Sequence, residues 1–224
     1  MILCLTPNRA VDRMLYVNSL KLGEVQRAGK VLMAAGGKGL NVARTIRMLG
    51  GKPLCVGPIG DHTGDLLAEL ANRERLSSNW TRVRNETLTC MIFGSGKSRL
   101  DCNQRYRTGM DASEFKILLE DVLSLASRAN LICICGSLPP GVSQEQFKTM
   151  LLELAAMGTQ VWVDTSEDAL KAALATQGIC IKVNAAELGI ALDMEITNVD
   201  QAVKATHLLR EQGITQIAVT LGKD

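Results

Sequence analysis

Aromatic side chains are scarce in this chain of 224 residues, with two Trp, two Tyr and three Phe, too few to build a platform on which nucleic-acid bases stack. Histidine is scarcer still: His62 and His207 are the only two, which excludes a metal centre built from histidines. An excess of charge is also missing, because 25 Lys plus Arg stand against 23 Asp plus Glu, and a net +2 leaves no basic footprint for nucleic acid. No apolar run reaches the roughly 18 residues of a membrane span, and no basic stretch leads into a short apolar one at the start, so neither a membrane protein nor a secreted one is expected. The seven cysteines, Cys4, Cys55, Cys90, Cys102, Cys133, Cys135 and Cys180, are odd in number and show no CxxC pair or zinc spacing. They read as small buried hydrophobes of a reduced, cytoplasmic protein.

What is present is a glycine-rich loop running straight into a helix, "AAGGKGLNVARTIRMLGG" from Ala34 to Gly51. Val42, Ala43, Ile46 and Leu49 repeat at helical spacing, and Gly50-Gly51 ends the helix. Glycines at its start permit positive φ and close backbone approach, so N–H groups at the helix N-terminus face whatever sits there, and an anion is favoured. Two familiar phosphate loops are excluded. Gly37-Lys38-Gly39-Leu40 lacks the spacing and the Ser/Thr of a P-loop, and Val42 stands where a dinucleotide fingerprint needs its last glycine. A loop with glycines only for turning is the plain alternative.

At 46% hydrophobic the chain can build a substantial core. Short apolar runs, "MILCL", "PLCVG", "LICIC", "VWVD", "ICIKV" and "IAVTL", alternate with helical patterns, the signature of a parallel sheet covered on both faces. Helices are predicted over Ala112 to Ser127, Ser143 to Met157 and Val199 to Gln212; Ser143 with Gln146 opens the second as a capping box, and Gly158 and Gly213 supply stops. By length, 224 residues leave one large domain or two small ones open. Two stretches break the alternation, "AVDRMLYV" and Thr87 to Tyr106, and read as antiparallel strands, the second with a Gly94-Ser95-Gly96 turn. Together, at about 10–18 and 87–106, they are expected to form a small sheet lying over the strand ends as a lid.

Taken together, these stretches resemble the phosphofructokinase B-type sugar kinases of the ribokinase superfamily, in order and along the whole chain. The glycine-rich stretch is similar to the first family signature, "GSLPPG" (Gly136 to Gly141) to the substrate-side loop after a central strand, "KVNAAEL" (Lys182 to Leu188) to the nucleotide and magnesium loop, and "VTLGKD" to the start of the ATP segment. The resemblance implies that residues 1–224 form a single ribokinase-like α/β domain, a three-layer sandwich with a mostly parallel central sheet and a β lid. It implies magnesium-dependent transfer of the ATP γ-phosphoryl group to a hydroxyl of fructose 1-phosphate, fructose 6-phosphate or tagatose 6-phosphate. Asp12, Arg27, Gly37, Lys38, Asn41 and Ser137 are the substrate residues so implied; Lys182, Asn184, Thr220 and Gly222 face ATP, and Glu187 serves Mg2+. The residue types suit these roles. A carboxylate such as Asp12 accepts hydrogen bonds from sugar hydroxyls, Ser137 follows a strand end where open parallel sheets bind ligands, and Asn184 and Glu187, three apart on a helical turn, share a face. Acids also favour a helix N-terminus without any metal, so Glu187 has an ordinary reading too.

The chain departs from the family pattern in two places near the sugar site. Asn8 is followed by Arg9 where proline usually stands, and Leu88 occupies the lid position that commonly carries an arginine for the substrate phosphate. Arg84, Arg99, Arg105 and Arg107 are the possible replacements. Leu88 keeps a kinase for an unphosphorylated sugar or a nucleoside open as an alternative, and a non-catalytic sugar-phosphate sensor is a third reading. The family's general base, the aspartate of a G-A-G-D motif beyond the ATP segment, does not occur in the chain, so the C-terminal part of the pattern is missing. The 224 residues alone are expected to transfer little phosphate and to be poorly soluble where that part would cover them. A small lid sheet is unstable by itself, and a homodimer through the lid is expected.

Overall fold

The structure is a computed structural model that describes residues 1–19, 21, 23–95, 98–103 and 109–222, with the backbone alone at 95 and 98–103. Among these the chain runs β1 (Ile2–Leu5), β2 (Ala10–Tyr16), β3 (Lys30–Gly36), α1 (Lys38–Met48), β4 (Pro53–Ile59), α2 (Asp61–Arg73), β5 (Ser78–Arg82), β6 (Leu88–Ser95) and β7 (Ser98–Asn103). It continues with α3 (Ala112–Ala126), β8 (Leu131–Cys135), α4 (Gln144–Ala156), β9 (Gln160–Asp164), α5 (Glu167–Leu174), β10 (Cys180–Asn184), α6 (Ala185–Leu192), α7 (Val199–Glu211) and β11 (Gln216–Thr220). The six predicted apolar runs are all strands, and the three predicted helices end within a residue of their expected bounds.

Seven strands form one sheet in the order β11-β10-β9-β8-β1-β4-β5, with every pairing parallel. The chain extends from β1 towards β4 and β5 on one flank and later adds β8 to β11 on the other. The loops after β1 and β8 therefore part at the carboxyl edge, and a crevice opens there. Side chains along β1 alternate between two cores. Leu3 and Leu5 pack with Ile132, Ile134, Leu118 and Leu151, whereas Cys4 and Cys55 pack with Leu40 and Ala43 of α1 and Leu67 of α2. These cores, one on each face, make the three expected layers.

The register sets Cys55, Cys4 and Cys133 at neighbouring positions across β4, β1 and β8. Burial pushes the Cys55 and Cys133 thiols up to about 11, so these cysteines fill space and are not thiolates at neutral pH. No helix among the described residues is long and apolar enough to cross a membrane.

The second sheet has the order β3-β2-β6-β7, and here the sequence expectation needs correction. β2 with β3 and β6 with β7 are antiparallel, but β2 and β6 run parallel. Both leave the carboxyl edge of the large sheet, one after β1 and the other after β5, and so point the same way. β2 ends at Tyr16 rather than Asn18, while the turn expected at Gly94-Ser95-Gly96 falls partly outside the described residues. β3 and β5 carry no strand signature in the sequence. "KVLMAAG" shows no period-2 alternation, and "SNWTR" is a polar strand at the sheet edge.

Candidate functional site

Two clefts open at the carboxyl edge of the large sheet. The first, of about 590 Å³, is lined by Asn8, Arg9, Asp12, Gly37, Lys38, Leu88, Ser137 and Glu167 among others. The second, of about 450 Å³, lies over the ends of β10 and β11 and is lined by Asn184, Ala185, Ala186, Ile196, Thr197, Thr220, Leu221 and Gly222.

The first cleft is built around the glycine loop. Gly37 is the N-cap of α1 at φ 128°, and no side chain caps the helix, so the first-turn N–H groups stay available to a ligand. That φ is hostile to other residues, and a Cβ there would lie 2.8 Å from Thr6 Cγ2. Gly36 has a different reason: a Cβ would overlap the Asp12 carboxyl group, so its absence lets the carboxylate of β2 lie directly against the loop. Ser137, in the loop after β8, accepts a hydrogen bond from Asn8 Nδ2 at 3.2 Å, which joins the β1 and β8 loops across the crevice.

Asp164, at the end of β9, was missed by sequence reasoning. Its Oδ1 lies 3.1 Å from Lys38 Nζ and its Oδ2 lies 3.0 Å from Lys182 Nζ. One carboxylate thus ties the lysine that opens α1 to a lysine of β10. The available signal was a strand, "VWVD", that ends on an acid at the edge where ligands bind. Glu167 was missed too; it opens α5 at φ 55°, a left-handed conformation costly for a non-glycine residue and concentrated at ligand sites. Nothing in the sequence marks it.

Asp12, Gly37, Lys38 and Ser137 are therefore brought together, but two other expected substrate residues stand apart. Asn41 is exposed one turn into α1, where its Oδ1 accepts from Arg44 Nη1 at 2.7 Å. Arg27 lines a shallow depression with Val17, Asn18, Lys21 and Glu24, away from both clefts. Leu88 does line the first cleft. Arg84 does not replace the cation missing there, since its backbone N–H and Nε donate to Glu114 and its Nη2 donates to Asp111, fastening it to α3. The Arg99 side chain and the whole of Arg105 and Arg107 lie outside the described residues.

At the second cleft, Asn184 ends β10 and caps α6. Its Oδ1 accepts from the Glu187 N–H at 2.8 Å, while Glu187 Oε2 accepts from the Asn184 N–H at 3.3 Å. The N-x-x-E pair is thus a capping box. A carboxylate has about four lone-pair sites, so this box leaves Glu187 with acceptor capacity for a cation or its waters. No cluster of three metal-binding side chains occurs among the described residues; magnesium, which keeps several waters and takes one or two carboxylates plus substrate phosphates, does not need one. Thr220 and Gly222 share the second cleft with Asn184, whereas Lys182 is turned to Asp164.

This geometry agrees with the comparisons. The family model described as pfkB family carbohydrate kinase matches residues 8–224, and the chain belongs to that family. It is 34% identical over 200 residues to ATP-dependent 6-phosphofructokinase isozyme 2 of Escherichia coli K12, over 84% of this chain and 61% of that protein. To 1-phosphofructokinase of the same strain it is 26% identical over 220 residues, covering 98% and 70% respectively. A crystal structure of phosphofructokinase-2 from Escherichia coli in complex with fructose-6-phosphate aligns with a TM-score of 0.90 at 28% identity, covering 99% of this chain and 74% of that one. The chain spans less than two thirds of the first of these relatives. The large parallel sheet with its flanking helices and small mixed sheet is the ribokinase-like fold of these kinases.

Proposed function

We propose that this chain carries the sugar-phosphate site and part of the ATP site of a magnesium-dependent kinase that phosphorylates fructose 1-phosphate, fructose 6-phosphate or tagatose 6-phosphate. The observation that carries the reading is the convergence of Asp12, Gly37, Lys38 and Ser137 on one cleft beside an uncapped helix N-terminus. Asp12 accepts from sugar hydroxyls, the open N–H groups of α1 take an anionic group, and Ser137 hydrogen-bonds the sugar from the opposite wall. The second cleft receives the ATP phosphates, with the Thr220 hydroxyl and the Gly222 N–H as donors. Magnesium, when bound, neutralises charge on the transferring phosphoryl group, and Glu187 is the side chain to hold it, directly or through water. Phosphoryl transfer is chiefly positioning and charge stabilisation, which suits a site of N–H groups and cations.

The aspartate base of the family's G-A-G-D motif is not among the 224 residues, so these residues alone bind substrates and turn them over slowly, if at all. Leu88 on the cleft wall favours a second reading, a kinase for an unphosphorylated sugar. One face of the small sheet exposes Val31 and Met33, and a second copy of the sheet covers them in a homodimer, for which light scattering at micromolar concentration is expected to give twice the chain mass. A coupled ADP-release screen over phosphorylated and free sugars tests the function. Any turnover is expected only with sugar phosphates; turnover confined to free sugars or nucleosides overturns the reading, and fast turnover by the 224 residues overturns the argument from the missing base.

A further inference from the structure

The two departures from the family pattern meet in space. Ala10 is the cross-strand partner of Leu88, and Arg9, next to Ala10, lines the same cleft as Leu88. A position that loses a cation and one that gains a cation are therefore neighbours.

The Arg9 guanidinium sits in a built seat. Nη2 donates to the Thr6 carbonyl at 2.5 Å and Nη1 to the Pro58 carbonyl. The guanidinium carbon lies 5.1 Å from the centroid of the Trp80 ring, within reach of a cation–π attraction. Gly57 makes the room, because a Cβ there would overlap Nη2. The residue is only 3% exposed, and its Nε is buried with no hydrogen-bond partner. Burial pushes the group down to about 9, so it remains a cation at neutral pH.

A buried cation with no counter-ion is costly. Carbonyls and a ring face are also within the reach of a neutral amide, so pinning the loop after β1 to β4 does not by itself call for a permanent charge. The other charges on the cleft wall do not supply an anion-binding cation: Lys38 is paired with Asp164, and Asp12 and Glu167 are acids. Among the described lining residues Arg9 is the cation without a carboxylate partner, and the counter-charge it lacks is one that a ligand can bring.

Building on the proposed function, we infer that Arg9 is a specificity-determining residue. It takes over the task vacated at Leu88 by holding a fixed positive charge in the cleft wall, which selects the phosphate monoester of a phosphorylated sugar over the free sugar. The charge acts through its field in a low-dielectric wall, so an exposed guanidinium fork is not required.

The test compares fructose 6-phosphate with fructose, titrated calorimetrically into the unmodified chain, Arg9→Gln and Arg9→Gln/Leu88→Arg. Arg9→Gln retains an amide donor for the carbonyls and removes the charge. It is expected to weaken fructose 6-phosphate binding by about tenfold or more and to leave fructose unchanged, and adding Leu88→Arg is expected to restore most of the loss. Where Arg9→Gln does not fold, Arg9→Pro, the residue usual there in the family, takes its place with the same readouts. Equal weakening of both sugars, or no change in either, makes Arg9 a structural strut and overturns this inference while the proposed function stands. Where fructose 1-phosphate or tagatose 6-phosphate binds instead of fructose 6-phosphate, it takes its place against its own free sugar; failure of the unmodified chain to bind any of the three instead overturns the proposed function and this inference with it.

Discussion

Helices α1 and α6 both begin at the carboxyl edge of the large sheet, yet their first turns are finished in opposite ways. At α1 the N-cap is Gly37 and no side chain meets the free N–H groups; at α6 Asn184 and Glu187 close a capping box on themselves. The other helices sharpen the contrast. α3, α4 and α7 are capped by Asp111, Ser143 and Asn198, whereas α5, whose Ser166 and Glu167 line the first cleft, has no side-chain cap. α2, with Gly60 as its N-cap, is also uncapped, though there Gly60 N–H is bonded to Thr87 Oγ1. Both uncapped ends on the first cleft leave backbone donors for a ligand. The second cleft offers side chains that already serve the fold and must share their remaining lone pairs.

The largest effect is expected from closing the open end. Gly37→Val places a branched side chain at φ 128° against Thr6, and such strain costs about 1–3 kcal/mol; urea unfolding should report that loss, and sugar-phosphate binding should vanish with the loop geometry. Asp12→Ala comes next. Losing a charge-assisted acceptor is expected to cost about 1.5–3 kcal/mol in sugar binding with ATP affinity unaltered, and an unchanged sugar affinity removes Asp12 from the site.

The capped end should answer differently. Asn184→Ala is expected to lower stability by about 1 kcal/mol without changing sugar binding. Glu187→Gln keeps an acceptor for the cap while removing the charge, so the magnesium requirement for nucleotide binding should rise more than any change at the sugar site. Equal shifts in both would mean a general folding defect.

The smallest effect concerns the far side of α1. Arg44 binds the Glu74 carboxylate, the Ala35 carbonyl and Asn41, tying the helix to β3 and to the end of α2. The hydrogen bond from Arg44 holds the Glu74 carboxyl below its ordinary range. Because the folded-state value is depressed, this contribution is fully present above the unfolded Glu value of about 4.3 and is lost as pH falls through the folded value. The pair is partly exposed, so about 1 kcal/mol or less is at stake. Thermal unfolding between pH 7 and pH 3 should show the unmodified chain losing its advantage over Glu74→Gln only at the acid end; an advantage independent of pH would remove the ion pair from the account.

The extent to which the sequence disclosed the molecule follows from how local each feature is. "LICIC" and "IAVTL" are apolar runs whose burial needs no partner to be recognised, and the Ser143–Gln146 box is complete within four residues. β3 and the parallel pairing of β2 with β6 depend on where distant strands end, which no local pattern encodes. The site divides the same way. Asp12, Gly37, Lys38 and Ser137, which line the first cleft, sit in short stretches at strand ends or loop–helix junctions, where the family resemblance picks them out. Asp164 acquires its role only by meeting Lys38, 126 residues away in the chain, and Arg9 stands out only as a departure from the usual proline until Gly57 and Trp80 are folded around it.

The central claim is that the open first turn of α1, and not the capped turn of α6, receives the sugar phosphate. The most direct measurement is backbone amide NMR of the isotope-labelled chain during titration with fructose 6-phosphate in the absence of nucleotide. The account predicts that the amides of Gly37, Lys38, Gly39 and Leu40 shift in a saturable way while those of Ala185, Ala186 and Glu187 stay fixed. Saturable shifts at the α6 turn with none at α1 would contradict it.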